Sequence, residues 1–212
     1  LTHPTITSID WGAGKTFQLS STGIGTSFVA VPLQYEDTIT GIATGFAGVT
    51  NTSIITCTSG AYSVTDGSTW SSSSMPSQSY QWSGISSEGS YPSRFILISD
   101  MVLTYPATSG SSTAAISTGG TSWSYVTLPA TKRWNAIACQ RQYPAHLIGV
   151  IDGEGVVGET QFAYTTNSGT SWSYVDLSAQ MVGLHPVGIY PSGLSTLAIA
   201  LSDGLNITNW AY

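Results

Sequence analysis

The sequence predicts an all-β protein built from repeated antiparallel units, and three observations carry that expectation. The segment Thr121-Ser-Trp-Ser-Tyr-Val-Thr-Leu128 returns 49 positions later as Thr170-Ser-Trp-Ser-Tyr-Val-Asp-Leu177, with seven of eight residues unchanged. A looser pattern, Gly-x-[Ser/Thr]-aromatic, occurs four times, ending at Phe28, Trp70, Trp123 and Trp172 and opening on Gly25, Gly67, Gly120 and Gly169. Helical periodicity is absent, while short runs rich in β-branched and aromatic residues recur between Gly, Pro, Asn and Ser. Self-similarity at such a spacing marks supersecondary units that bury their apolar faces only against one another.

A second pattern, x-x-small-Ile, orders the units. It occurs at Ile6-Thr-Ser-Ile9, Ile39-Thr-Gly-Ile42, Trp82-Ser-Gly-Ile85, Trp134-Asn-Ala-Ile137 and Pro186-Val-Gly-Ile189. The last four isoleucines are 43, 52 and 52 residues apart. Each copy leads into an apolar strand, then a polar-apolar strand and, in the best units, the Gly-x-[Ser/Thr]-Trp turn. Units two to four therefore read as four antiparallel strands, a length that suits one blade of a β-propeller. The expected fold is a single all-β domain, a five-bladed propeller with blades at 1–34, 35–78, 79–130, 131–180 and 181–212. Small residues beside the Ile suit an innermost strand, where blades converge. Phe95-Ile-Leu-Ile98 and Thr196-Leu-Ala-Ile-Ala-Leu201 are apolar enough for burial on both faces, whereas Trp172-Ser-Tyr-Val-Asp-Leu177 alternates like a half-buried outer strand. The short last unit is expected to take its outer strand from Leu1 to Thr5, so that N- and C-terminal strands close the ring without an open edge.

Composition removes several function classes. At 212 residues the chain is long enough for one well-buried domain. Charged residues are only 8% of it, against about 25% in ordinary soluble domains. With 41% apolar and 11% aromatic residues it does not read as disordered. Five Lys and Arg against eleven Asp and Glu cannot build a phosphate-neutralising stripe, which excludes a nucleic-acid partner. No apolar run reaches the roughly 18 residues of a membrane-spanning helix. The chain opens on Leu1, so a mature chain or an excised domain is expected. Cys57 and Cys139 lie in apolar runs of non-adjacent units and read as small buried hydrophobes rather than a disulfide. The sequons Asn51-Thr-Ser53 and Asn206-Ile-Thr208 would matter only in a eukaryotic secreted protein.

The Gly-x-[Ser/Thr]-Trp turns resemble the Asp-box, or BNR repeat, of sialidase-like β-propellers. That motif reads Ser-x-Asp-x-Gly-x-Thr-Trp and sits between the third and fourth strands of a blade. The nearest match is Ser63-Val-Thr-Asp-Gly67-Ser-Thr-Trp70, where Thr65 holds the Asp position and Asp66 comes one place late. Gly23, Thr118 and Asn167 hold it elsewhere. Thr and Asn still cap a turn by bonding nearby amides, whereas Gly23 does not. The resemblance implies the fold and a structural role for Gly25, Phe28, Gly67, Trp70, Gly120, Trp123, Gly169 and Trp172. The motif is peripheral and implies no chemistry.

Catalytic chemistry is weakly marked. Sialidases resembling this pattern use an arginine triad, and the chain has three arginines, Arg94, Arg133 and Arg141. Two of them share one unit, however, whereas that family draws its arginines from successive blades, and the family's Arg-Ile-Pro signature is missing. Surface arginines are the better reading. A glycosidase needs paired carboxylates across the axis. Of Asp10, Asp37, Asp100, Asp152 and Glu154, only Asp10 directly follows an x-x-small-Ile core. Asp152-Gly-Glu154-Gly reads as a polar turn rather than a calcium loop. His3, His146 and His185 show no metal-ligand spacing. No catalytic residue, metal or cofactor is expected.

Aromatic residues remain. Trp82 and Trp134 hold equivalent positions ahead of the inner strands and, with Trp11, Tyr91, Tyr143, Arg94 and Arg133, form the candidate ligand-binding set. A flat ring beside neutral hydrogen-bonding groups suits a pyranose. The competing reading is that Trp82 and Trp134 pack between blades. The expected function is non-catalytic recognition of a glycan or cell-surface receptor, by a secreted lectin or a phage receptor-binding domain at the cell exterior or virion surface. The alternative is a self-assembling coat, shell or fibre subunit, since few charges and a mean hydropathy of +0.12 suit surfaces buried in a homo-oligomer. A glycoside hydrolase is the third possibility.

Overall fold

The structure is a computed structural model that describes residues 18–19, 29–30, 38–48, 50–57, 60–65, 71–72, 79–88, 92–102, 108–139, 148–152, 161–177, 179, 182–191, 197–202 and 207–211. Among them lie eighteen strands and no helix, in five antiparallel sheets that follow one another along the chain. The first is the pair β1 (Gln18–Leu19) and β2 (Val29–Ala30). The second takes β3 (Ile39–Ala47), β4 (Thr50–Cys57), β5 (Gly60–Thr65) and β6 (Ser71–Ser72) in that order. In the third, β7 (Tyr80–Ser87) pairs with β8 (Arg94–Val102), and the short β9 (Thr108–Ser109) also pairs with β8. That sheet continues through β10 (Ser111–Thr118) to β11 (Ser124–Lys132). The fourth runs β12 (Trp134–Cys139), β13 (Ile148–Asp152), β14 (Gln161–Thr165), β15 (Ser173–Asp176). The fifth holds β16 (His185–Pro191), β17 (Leu197–Ser202) and β18 (Ile207–Ala211).

Neighbouring sheets meet through their first strands, β3 against β7, β7 against β12 and β12 against β16. The x-x-small-Ile pattern acquires a physical meaning at these contacts. In all four strands the pairing register shifts across the second residue of the motif, leaving Thr40, Ser83, Asn135 and Val187 outside the ladder. Such a bulge bends the strand and re-aims the residues after it. The small residue and the Ile then point to opposite faces, because side chains alternate. The bare position of one sheet receives the Ile of the next. A Cβ on Gly41 would stand 3.0 Å from Cγ2 of Ile85, and one on Gly84 would stand 3.4 Å from Cγ2 of Ile137. Ile189 shares a buried cluster with Ala136 in the same sense. Ser83, on its bulge, adds a polar tie by donating its hydroxyl to the carbonyl of Trp134.

Second strands fill the space behind this seam. Phe95, Ile96, Leu97 and Ile98 of β8 are all fully buried. Phe95 and Leu97 join Ala43 and Ile54 of the second sheet, while Ile98 joins Trp134 and Ala163 of the fourth. Continuous apolarity is what a strand covered on both faces requires. The outer strand β15 is mostly solvent-facing, with Ser173, Tyr174 and Asp176 exposed and only Val175 half-buried. Cys57 and Cys139 are buried in the second and fourth sheets and are not joined in a disulfide.

A second joint lies at the strand ends. The Ser93 amide donates to Phe46 O (2.7 Å), and the Phe46 amide donates to Ser93 Oγ (2.9 Å). The Ser93 carbonyl accepts from Gly119 N at 2.8 Å. One serine thus ties the second sheet to two loops of the third. Gly45 makes this approach possible, because a Cβ there would lie 2.5 Å from Ser93 Cβ and 2.9 Å from Phe95 Cζ. Gly45→Ala should therefore lower stability by about 1–3 kcal/mol, the usual range for overpacking. Gly60→Ala, where nothing lies within 4 Å, should stay within about 0.5 kcal/mol of wild type. Chemical denaturation of the two variants checks the contrast.

Candidate functional site

The repeated turn was the sharpest feature of the sequence, and two copies are described. Between β14 and β15, Asn167 organises the chain from its centre. Its Oδ1 accepts from the Ser171 amide (2.9 Å) and the Thr165 hydroxyl (2.8 Å), and its Nδ2 donates to Ser171 Oγ at 2.8 Å. Thr165 Oγ1 accepts in turn from the amides of Asn167 (3.3 Å) and Gly169 (3.2 Å). The turn needs two left-handed residues, Ser168 at φ 60° and Gly169 at φ 81°. In the copy between β10 and β11, Gly119 and Gly120 hold these positions at 76° and 81°.

The second glycine is constrained by its neighbour as well as by φ. A Cβ on Gly120 would lie 2.5 Å from Cδ1 of Ile54 in the second sheet, and one on Gly169 would lie 3.3 Å from Cγ2 of Ile116 in the third. Each turn is thus set down on the preceding sheet. Trp123 follows it into the cluster around Ile54, and Trp172 packs beside Ile98 and Leu128. The indole of Trp172 also donates to the Gly169 carbonyl at 3.1 Å. Gly25, Phe28, Gly67 and Trp70 lie outside the described residues.

The candidate ligand-binding residues do not converge. Trp82 and Trp134 are both 0% exposed. Trp82 lies among Ala43, Ile54, Phe95 and Leu97, and Trp134 among Ile98, Leu128 and Ala163. Trp134 Nε1 donates at 3.3 Å to Ala130 O of the sheet before it. This placement revises the expectation for both rings: neither presents a face to solvent, so neither can stack on a sugar unless its sheet opens. They pack between sheets. Trp11, Tyr91 and Tyr143 lie outside the described residues, as do Arg141, His3, His146, Asp10, Asp37 and Glu154.

The two described arginines sit at opposite ends of β8. Arg94, at its start, donates from Nη1 to the Ser168 carbonyl at 2.9 Å, holding the strained turn of the next sheet. Arg133 lies 3.8 Å from Asp100, near the far end of the strand. Six residues of extended strand, about 20 Å, separate Arg94 from Asp100. Among the described residues no group of three or more His, Cys, Asp or Glu is placed to hold a metal.

Sequence reasoning passed over two other exposed side chains. Tyr125 and Tyr174 occupy the same position in the two near-identical segments, on the outer strands β11 and β15, and are 44% and 39% exposed. Exposed hydroxyl residues surround them along the chain: Thr121, Ser122, Ser124 and Thr127 in one copy, Thr170, Ser171 and Ser173 in the other. Tyr125 is steadied from beneath by Tyr80, edge-on at 5.6 Å, and Tyr80 by Trp82 at 5.7 Å. The signal was the repeat itself, which carries a tyrosine at the same position in both copies.

No protein-family model matches the chain, and no curated protein matches it. Among solved structures, one described as YCF48 bound to D1 peptide is similar in shape, with a TM-score of 0.52 and 14% sequence identity. The similarity covers 89% of this chain and 57% of that one, so the chain spans less than two thirds of its neighbour. The fold is that of a β-propeller. Sheets in sequence order, joined through their first strands, are its blades.

Among the described residues, Asp100 has a clearly perturbed titration. Burial raises its carboxyl above the ordinary 3.8, while a backbone hydrogen bond and the charge of Arg133 pull the other way without cancelling it. A raised folded pKa means that the folded state holds the proton more tightly than the unfolded one. Stability therefore falls as pH rises from the ordinary value through the raised one. Asp100→Asn should gain on the wild type across that window and keep the gain at neutral pH. Urea denaturation of both proteins at a series of pH values checks the sign.

Proposed function

We propose that the chain is a non-catalytic recognition module that binds glycans, on a five-bladed ring whose peripheral turns are degenerate Asp-boxes. The observation that carries the binding reading is the pair Tyr125 and Tyr174, exposed aromatic rings at equivalent points of two adjacent blades, each amid hydroxyl groups. A tyrosine face offers apolar contact to a pyranose, while Ser and Thr hydroxyls donate to and accept from its own. Low charge suits a neutral ligand. Repetition suits weak sites used together, whose joint avidity exceeds either alone. Under this reading the protein works at a cell exterior or virion surface.

The turn between β14 and β15 supports the Asp-box assignment, since Asn167 stands where that motif has Asp and bonds the backbone as the resemblance implies. Five x-x-small-Ile copies support the blade count, with the short last unit completed by the N-terminal strand.

A second reading rests on a different observation. Among the described residues, strands β11 and β15 are the last in their sheets and so form sheet edges. A peptide or a second copy of the chain would pair there by strand addition, and the neighbouring propeller is itself described with a bound peptide. A coat or fibre role would use the same edges.

A glycan array separates these readings. We expect binding to a restricted set of neutral glycans, reduced about tenfold (about 1.4 kcal/mol) by Tyr125→Ala or Tyr174→Ala in variants that remain folded. A protein silent on the array that grows into large particles with concentration would favour the assembly reading instead.

A further inference from the structure

Three polar side chains between the third and fourth sheets are left unmatched by the packing described above. Asp100 Oδ1, Gln161 Oε1 and Arg133 Nε are buried and have no hydrogen-bond partner among the described residues. Asp100 and Gln161 are only 9% and 8% exposed. Buried polar groups are normally satisfied, so several such atoms at one place point to a ligand.

The backbone brings these residues to one end of the two sheets. There β8 ends beside the start of β7, and β12 and β14 begin beside the end of β13. Ile98 and Ala163 share a buried cluster with Trp134. Asp100 lies two residues beyond Ile98, Gln161 two residues before Ala163 on the same face of β14, and Arg133 directly before Trp134. The β7–β8 pairing also skips Asp100, passing from Gln81 opposite Met101 to Trp82 opposite Ser99. A bulge of this kind re-aims its side chain, and the carboxylate comes within 3.8 Å of Arg133 Nη2. That separation is too long for a hydrogen bond. The arginine side chain is 42% exposed against 12% for the aspartate, so Arg133 covers Asp100 loosely from the solvent side.

The set offers two acceptors, one of them charged, and one cationic donor. A cation would meet the arginine, an anion would meet the carboxylate, and an apolar group would leave all three atoms unmatched. Two neighbouring hydroxyls fit, because they donate to Asp100 and Gln161 and accept from Arg133. We propose that Asp100, Gln161 and Arg133 form a binding site for the vicinal diol of a neutral sugar ring, with Arg133 moving outward to admit it and then closing on it. Water supplies the same hydrogens and lone pairs when no sugar is bound. The inference rests on the glycan reading and gives it a further contact, on different strands from Tyr125 and Tyr174.

Titration of the full chain with the methyl glycosides of glucose, galactose and mannose tests it, read by the indole N–H resonance of Trp134. At least one glycoside should bind, and Gln161→Met, which keeps the side chain's length but removes its oxygen, should weaken it about tenfold or more. A crystal structure with that glycoside should show adjacent hydroxyls on Asp100 and Gln161. Binding that is lost in Tyr125→Ala or Tyr174→Ala but unchanged in Gln161→Met overturns this site and leaves the glycan reading standing. Silence toward all three glycosides and on the glycan array overturns both. Crystals soaked in saturating glycoside that hold only water between the three side chains, or that show Asp100 bonded directly to Gln161 or Arg133, overturn the site as well. Should Gln161→Met fail to fold, singly deoxygenated glycosides on the wild-type protein decide. Removing either hydroxyl of the bound pair should again weaken binding about tenfold, whereas indifference to every deoxygenation would contradict the proposal.

Discussion

The seating of an isoleucine on a bare or nearly bare position of the preceding strand is the contact on which the arrangement of sheets depends. It needs three things at once: a bulge that turns the strand, a residue with little or no side chain, and a β-branched knob directly after it. Each requirement is local, yet the contact is made between sheets more than forty residues apart. A small residue alone would let strands slide, and an isoleucine alone would hold them apart. Together they set both distance and register, because a close-packed interior tolerates neither a void nor an overlap of one methyl group.

The outer joints follow the same logic with polar atoms. Ser93 takes and gives backbone hydrogen bonds across two sheets, Ser83 reaches the Trp134 carbonyl, and Arg94 holds the Ser168 carbonyl. Gly120 and Gly169 let their turns settle on the sheet before them, and Trp123 and Trp172 fill the space behind. Neutral hydroxyls and amides do here what ion pairs do elsewhere, which is how a chain with 8% charged residues maintains specific contacts. Among the described residues the Asp100–Arg133 pair is the exception, and there burial penalises the carboxylate's charge more than its partner relieves it.

Most of the fold was legible in the sequence because the interlock must be rebuilt by every unit, and a contact rebuilt at each interface leaves a periodic trace. The bulge beneath x-x-small-Ile was not legible, since Thr40, Ser83 and Asn135 share no side-chain property that marks a missed pairing. The site was harder. Trp82 and Trp134 read alike whether a ring at the start of an inner strand meets solvent or the next sheet, and burial decided for the sheet. Ser93 belongs to no repeat and was invisible. Tyr125 and Tyr174 were visible only as members of the repeat, whereas the expectation of ligand binding fell on Trp82 and Trp134, which are buried.

A double-mutant cycle on Gly41 and Ile85 measures the interlock itself. The added methyl of Gly41→Ala meets Cγ2 of Ile85 at 3.0 Å, and Ile85→Ala removes that atom. The interlock predicts that the double variant is more stable than the sum of the single effects allows, with a coupling of about 0.5–3 kcal/mol. Strict additivity would mean that the two residues do not bear on each other, and the account of how the blades are held in place would fail.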